Sequence, residues 1–309
     1  MRILFMGSGA IAEPPLEKLL HLPEDEVVAV VTQPDRPRGR KLEMGACPVK
    51  EYAESRNVTV LSPCKVGSDA SVSEIRELSA DLIIVAAYGQ YIKPSILSLP
   101  SLGAINLHPS LLPLYRGAAP IQMAIADGRP QTGVTIMHVG EEMDAGDIIL
   151  QEEVAVGPDD TAATMEALLA ELGAGLMIRA VELLRSGEAP RIPQDAAKAT
   201  YVKKLTRQDG RIDWTLPAES IRNRIRGFTP WPGSFCQYGS GRMLKILHAR
   251  VEDPEGSPGA ILQASAVGLL VGTGEKSLRL LQVQPEGKSR MSGADFMNGY
   301  GVRMGHSLG

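Results

Sequence analysis

Short apolar runs alternate with amphipathic stretches through the first half of the chain. Arg2–Met6, Val27–Thr32, Thr59–Leu61, Leu82–Ala87 and Gly103–Leu107 are β-branched or aliphatic runs with little polar interruption. Such runs predict strands buried on both faces. Between them, Pro15–Leu20, Pro48–Arg56 and Ser71–Ser79 carry the three- and four-residue spacing of helices. Strand and helix in alternation predict an α/β fold, a Rossmann-like and mostly parallel sheet with helices on both faces. Thr132–His138 and Ile148–Glu153 predict two more strands, and Thr161–Leu184 a long helix. Met165, Leu168, Leu169, Leu172 and Leu176 form its apolar stripe, with Asp160 or Thr161 as candidate cap.

The texture then changes. Residues 190–208 carry prolines and bases but little periodicity, and predict a linker. Beyond it, Ser234–Tyr238, Met243–Val251, Ala260–Gln263, Gly268–Val271 and Leu278–Val283 are strand-like runs separated by Gly and Pro. They predict a small β-barrel or sandwich, preceded by one helix at Ala218–Arg226. The chain thus divides into 1–189, a linker 190–208, and a smaller domain 209–309.

Charge sharpens that division. The 309-residue chain has net charge −4. Residues 1–200 hold 17 basic against 27 acidic residues, net −10, and residues 201–309 hold 15 against 9, net +6. A basic half on an acidic protein fits an appended nucleic-acid-binding module, or a plain surface imbalance. The cysteines Cys47, Cys64 and Cys236 are dispersed and form no CxxC pair, so neither a disulfide framework nor a metal site is expected. No apolar stretch approaches the ~20 residues of a bilayer span. The expectation is a cytoplasmic protein with no membrane partner, acting as a monomer.

Candidate chemistry concentrates at the end of the Gly103–Leu107 strand. Asn106 and His108 stand two apart, so both side chains project to one side. Two hydrogen-bonding groups converging there suit a carbonyl oxygen that gains charge during acyl transfer. The following Ser110-Leu111-Leu112-Pro113 loop is stiffened by Pro109 and Pro113. Asp144 and Asp147 lie in a Gly-containing turn. One could orient His108 as the acid of a triad does, while the other caps the turn. His138, inside an apolar strand, reads as a core or supporting residue. Gly7-Ser8-Gly9-Ala10-Ile11-Ala12 has the spacing of a dinucleotide fingerprint, but no acid closes the second strand, so a tight strand-to-helix turn is favoured.

These residues carry a resemblance. Asn106-x-His108, Ser110-Leu111-Leu112-Pro113 with Tyr115-Arg116-Gly117, and the Asp144 turn resemble the active-site signature of the methionyl-tRNA formyltransferase family, folate-dependent enzymes of one-carbon transfer. Ile225-Arg226-Gly227-Phe228-Thr229-Pro230-Trp231-Pro232-Gly233 and Pro285-Glu286-Gly287-Lys288 are similar to that family's C-terminal signatures. The resemblance implies Asn106, His108 and Asp144 as the catalytic trio. It implies Ser110, Leu111, Leu112 and Pro113 as the lining of a 10-formyltetrahydrofolate site, and an OB-like C-terminal barrel. It implies initiator methionyl-tRNA as acceptor, and no metal. Pro34–Leu42 is similar to the basic loop the family inserts into the tRNA acceptor end, so Arg38, Arg40 and Lys41 are expected on RNA, with Lys203, Lys204 and Arg207 beside them. Four bases between Arg36 and Lys41 in an acidic half fit phosphate binding on their own, or a solvated charged loop.

Overall fold

The computed structural model describes residues 1–38 and 43–309. The first half forms strands β1 (Arg2–Gly7), β2 (Glu26–Val31), β3 (Arg36–Arg38), β4 (Glu43–Gly45), β5 (Val60–Leu61), β6 (Leu82–Ala86), β7 (Ala104–His108), β8 (Arg116–Gly117), β9 (Gln131–His138) and β10 (Ile148–Ala155). Seven of them make one sheet in the order β10-β9-β7-β6-β1-β2-β5. β1 runs parallel to both β2 and β6, β6 to β7, and β2 to β5, while β7 and β9 are antiparallel. β1 beyond Arg2 and the whole of β6 are buried on both faces. Leu4, Met6, Val31, Ile83 and Val85 pack with Val66, Ile92 and Ile96 in one cluster. From β1 the chain winds one way through β2 and β5 and the other through β6 and β7. Ligands of open α/β sheets bind beyond the carboxyl ends of strands near such a reversal.

The second half supplies β11 (Tyr201–Val202), β12 (Ser234–Tyr238), β13 (Arg242–Glu252), β14 (Ile261–Ser265), β15 (Gly268–Gly272), β16 (Ser277–Pro285) and β17 (Met291–Ser292). β12-β13-β16-β15-β14 form an antiparallel sheet, with β17 on β16. Trp214, Ile221, Ile225, Leu244, Ile246, Leu280 and Phe296 fill its core, contributed by strands and by the helices Ala218–Gly227 and Gly293–Tyr300.

The chain separates into two compact units that interleave in sequence. One holds Met1–Gly117, Thr132–Val154 and Glu166–Tyr201; the other holds Ala118–Gln131, Ala155–Met165 and Val202–Gly309. The long helix runs from Ala162 to Ser186, and Thr161 caps it by accepting from the Thr164 N–H at 3.2 Å. The Gly7–Ala12 segment is a tight turn into a 3-10 turn at Ala10–Ala12 and the helix Glu13–Leu20. Where a charged loop was expected, Arg36–Arg38 pairs antiparallel with Glu43–Gly45. Arg40 and Lys41 lie outside the described residues. No helix among the described residues is long and apolar enough to cross a membrane.

Candidate active site

The carboxyl end of β7 carries Asn106 and His108. Asn106 is half-buried, and its carboxamide makes no hydrogen bond among the described residues. His108 is 4% exposed. Its Nε2 lies 2.9 Å from the Tyr115 carbonyl oxygen, and its Nδ1 lies 3.7 Å from Asp144 Oδ2. The second distance is an ion-pair separation, longer than a hydrogen bond. Both ring nitrogens therefore face acceptors. Burial pushes the His108 pKa below the ordinary histidine value, against the pull of the Asp144 carboxylate and the Tyr115 carbonyl. A neutral ring can donate to one acceptor only; a second proton at Nδ1 would be met by Asp144.

The loop after β7 is pinned from β9 and β10. Thr135 Oγ1 donates to the Ser110 carbonyl at 2.6 Å and accepts from the Leu112 N–H at 3.2 Å. Gln151 Nε2 donates to the Leu112 carbonyl at 3.0 Å and to Thr135 Oγ1 at 2.8 Å. Ser110 Oγ closes the loop on the Leu114 carbonyl at 2.6 Å. Ser110 and Leu112 are buried, so they hold the loop, whereas Leu111 and Pro113 remain half-buried at its surface.

Segment 194–201 braces the same loop. Thr200 Oγ1 accepts from the Tyr115 N–H at 2.8 Å, and its own N–H donates to the Pro113 carbonyl at 3.2 Å. Tyr115 sits at φ +60°, a conformation this bracing holds in place. Asp144, at φ +53°, accepts from the Gly117 N–H at 2.8 Å through Oδ2. The same oxygen faces His108. Gly146 closes the turn where a Cβ would come within 1.8 Å of the His138 carbonyl, so glycine is required. His138 is buried beneath this turn, its Nε2 without a partner.

Asn106, His108, the 110–113 loop and Asp144 are thus gathered in one unit. Lys203, Lys204 and Arg207 fall in the other, all exposed. Arg207 borders a pocket of about 560 Å³ with Phe235, Met243 and Glu286. Arg38 stands on β3, and nothing is described of its side chain. Sequence reasoning missed Thr135, Gln151, Gln194 and Thr200. Each acts through a bond to backbone distant in sequence, which leaves no periodic or motif signal. Among the described residues no cluster of His, Cys, Asp and Glu is grouped as a metal site.

The sequence matches the formyl transferase family over residues 1–181 and the formyl transferase C-terminal domain over 204–301. It is 41% identical to the methionyl-tRNA formyltransferase of Geobacter sulfurreducens over 309 residues, covering 100% of this chain and 97% of the relative. The chain belongs to the methionyl-tRNA formyltransferase family. The formyltransferase of that name from Desulfotalea psychrophila is 44% identical, covering 97% of this chain and 93% of its own. Among solved structures, HypX from Aquifex aeolicus in complex with tetrahydrofolic acid shares the formyltransferase fold at TM-score 0.63 and 18% identity, over 97% of this chain and 47% of that one. An N-formyltransferase from Helicobacter canadensis, bound to folinic acid and dTDP-3-aminofucose, shares it at TM-score 0.66 and 17% identity, over 90% and 98%.

Proposed function

We propose that Asn106, His108 and Asp144 transfer the formyl group of 10-formyltetrahydrofolate to the α-amino group of methionine on initiator methionyl-tRNA. The observation that carries this reading is an unpartnered Asn106 carboxamide at the carboxyl end of β7, on the strand whose buried His108 faces the half-buried Asp144. The residues suit a formyl donor. Asn106 offers a free donor for the formyl oxygen, and half-buried Leu111 and Pro113 offer apolar surface on a loop that Ser110 and Leu112 hold rigid.

The folate supplies an electrophilic formyl carbon on N10. Asn106 donates a hydrogen bond to the formyl oxygen as the amine adds and negative charge develops there. In the resting site the His108 Nε2–H is engaged by the Tyr115 carbonyl, which leaves Nδ1 as the position that takes a proton. His108 accepts the proton lost by the amine, directly or through water, and Asp144 stabilises the resulting imidazolium. The positive His108 ring then adds its field to the Asn106 donor at the formyl oxygen, and gives its proton, directly or through water, to N10 as the bond between N10 and the formyl carbon breaks and tetrahydrofolate leaves.

Arg38, Arg40, Lys41, Lys203, Lys204 and Arg207 serve the RNA phosphates. The net +6 of residues 201–309 and the exposure of Lys203, Lys204 and Arg207 support that role. Residues 1–189 carry the chemistry and 209–309 the RNA docking, joined by 190–208. The protein works in the cytoplasm as a monomer, in keeping with three free cysteines. The test offers 10-formyltetrahydrofolate with methionyl-initiator tRNA and, in parallel, a nucleotide-linked amino sugar. Transfer to the tRNA that weakens steeply with salt is expected. Transfer to the sugar alone would overturn the acceptor and the RNA role of the basic residues.

A further inference from the structure

Arg116, next to the Tyr115 whose carbonyl faces His108, is 3% exposed. Among the described residues it meets no carboxylate. A buried guanidinium needs its N–H groups bonded. Its Nε and Nη2 both donate to Gln194 Oε1, at 3.1 and 2.8 Å. Its Nη1 donates to the Tyr201 hydroxyl at 3.1 Å, and the guanidinium lies 5.7 Å from that ring's centroid.

Gln194 Nε2 faces the other way. It donates to the Asp144 carbonyl at 2.9 Å and the Gly146 carbonyl at 2.8 Å. The orientation of the amide follows from chemistry alone. Arg116 has only donors, so it must meet Oε1; the turn presents only carbonyls, so they must meet Nε2. One side chain therefore ties a buried cation to the backbone of the turn that carries Asp144. The turn needs an external hold, since Asp144 sits at φ +53° where an L side chain is strained. The N–H of Gly117, next in chain to Arg116, grips Asp144 Oδ2 from the other side at 2.8 Å.

We propose that Gln194 is a positioning residue for formyl transfer, setting Asp144 against His108 Nδ1 through a strut anchored on Arg116. The proposal rests on the catalytic reading above. Asp144 is the charged group acting on the ring, with the Tyr115 carbonyl on the opposite nitrogen. If the turn shifts, Asp144 loses its upward pull and His108 titrates lower still.

Three variants separate the possibilities. Gln194→Ala removes both ends of the strut. Gln194→Glu keeps an acceptor for Arg116, and so the anchor, but turns an acceptor towards the two carbonyls. Gln194→Asn keeps the amide on a shorter stem. Each is read by kcat and KM for both substrates and, in the full-length protein without substrate, by NMR titration of His108. Displacement on the 1 Å scale costs about 100-fold in turnover. Gln194→Ala and Gln194→Glu should each lose on the order of 10–100-fold in kcat with KM little changed, and in Gln194→Ala, which adds no charge, the His108 titration should move to lower pH. Gln194→Asn should recover part of both. An unmoved His108 titration in folded Gln194→Ala overturns the proposal, whatever happens to stability. The titration needs no substrate, so it stands or falls separately from the acceptor: failure of the wild-type protein to formylate methionyl-tRNA would sink the functional reading and leave this measurement intact.

Discussion

Each unit of the molecule buries an arginine, and the two are treated differently. Arg279 on β16 is 5% exposed and meets a carboxylate. Its Nη2 lies 2.7 Å from Glu252 Oε2 and 2.7 Å from Gln263 Oε1, and its Nη1 donates to the Gly268 carbonyl at 3.2 Å. The Arg279 guanidinium, bonded to Glu252, holds that carboxyl down to about 2. Arg116 in the sheet unit is as deeply buried, but its partners are a neutral amide and a phenol. One arginine closes an ion pair and ties its own strand β16 to β13, β14 and β15. The other leaves its charge uncompensated and spends its donors on fixing the turn that carries Asp144. The lesson is that burial alone does not assign a role to a charged residue; the chemistry of its partners does.

The largest effect on stability is expected where the pair is closed. Glu252→Ala leaves Arg279 buried without its carboxylate. Removing one partner of a buried pair costs about 3–5 kcal/mol, and the partial exposure of Glu252 favours the low end. Denaturant melting should show this loss, with formyl transfer per folded molecule unchanged. A fall in specific activity would break the contrast.

Arg116→Met should act in the reverse proportion. It leaves the oxygen of the half-buried Gln194 carboxamide unsatisfied, a loss of about 1–3 kcal/mol with the partial exposure favouring the low end. Its larger signature should be kinetic, a fall in kcat at nearly constant KM. Loss of stability with unchanged kcat would make Arg116 no different from Arg279.

The pH dependence sharpens the comparison further. Glu252 has a folded pKa below its unfolded one, so its contribution is complete above about 4.5 and is lost as pH falls towards about 2. His108 also has a lowered folded pKa, and here the unfolded ring takes a proton first. Stability linked to it is therefore complete above about 6.5 and declines as pH falls below that value. His108→Gln should flatten the decline that begins below about pH 6.5 and leave the acid limb of Glu252 in place. An unchanged profile in His108→Gln would remove the histidine from that window.

The smallest effect is expected on the exposed bases. Lys203→Glu or Lys204→Glu should change stability by less than about 0.5 kcal/mol. They should still weaken transfer to methionyl-tRNA and reduce its salt dependence.

The sheet was legible because its strands are buried on both faces. The runs at Leu82–Ala87 and Gly103–Leu107 became β6 and β7 within a residue at each end. The pair Asn106 and His108 was legible because strand geometry forces positions two apart to one side. The antiparallel strands of the second half were marked by their Gly and Pro punctuation, and Ser234–Tyr238 kept its ends. The helix Gly293–Tyr300 was missed, since its two glycines and short length mask the period. The bracing of the site was invisible for a different reason. Gln194 and Thr200 lie in a segment with no periodicity, because it is held by side chains reaching backbone 48 to 85 residues away rather than by a buried face. Arg116 stood in the sequence as part of the Tyr115-Arg116-Gly117 motif with no role of its own, and only its burial sets it apart from the exposed bases.

The most direct test is single-turnover transfer from 10-formyltetrahydrofolate to methionyl-initiator tRNA by Asn106→Ala. Loss of one donor to a developing oxyanion typically costs ~10²–10³ in turnover. The account predicts a fall of that size, with the fold intact and the His108 titration unmoved. Transfer within about threefold of wild type would contradict it, because the unpartnered carboxamide at the end of β7 would then have no part in the reaction.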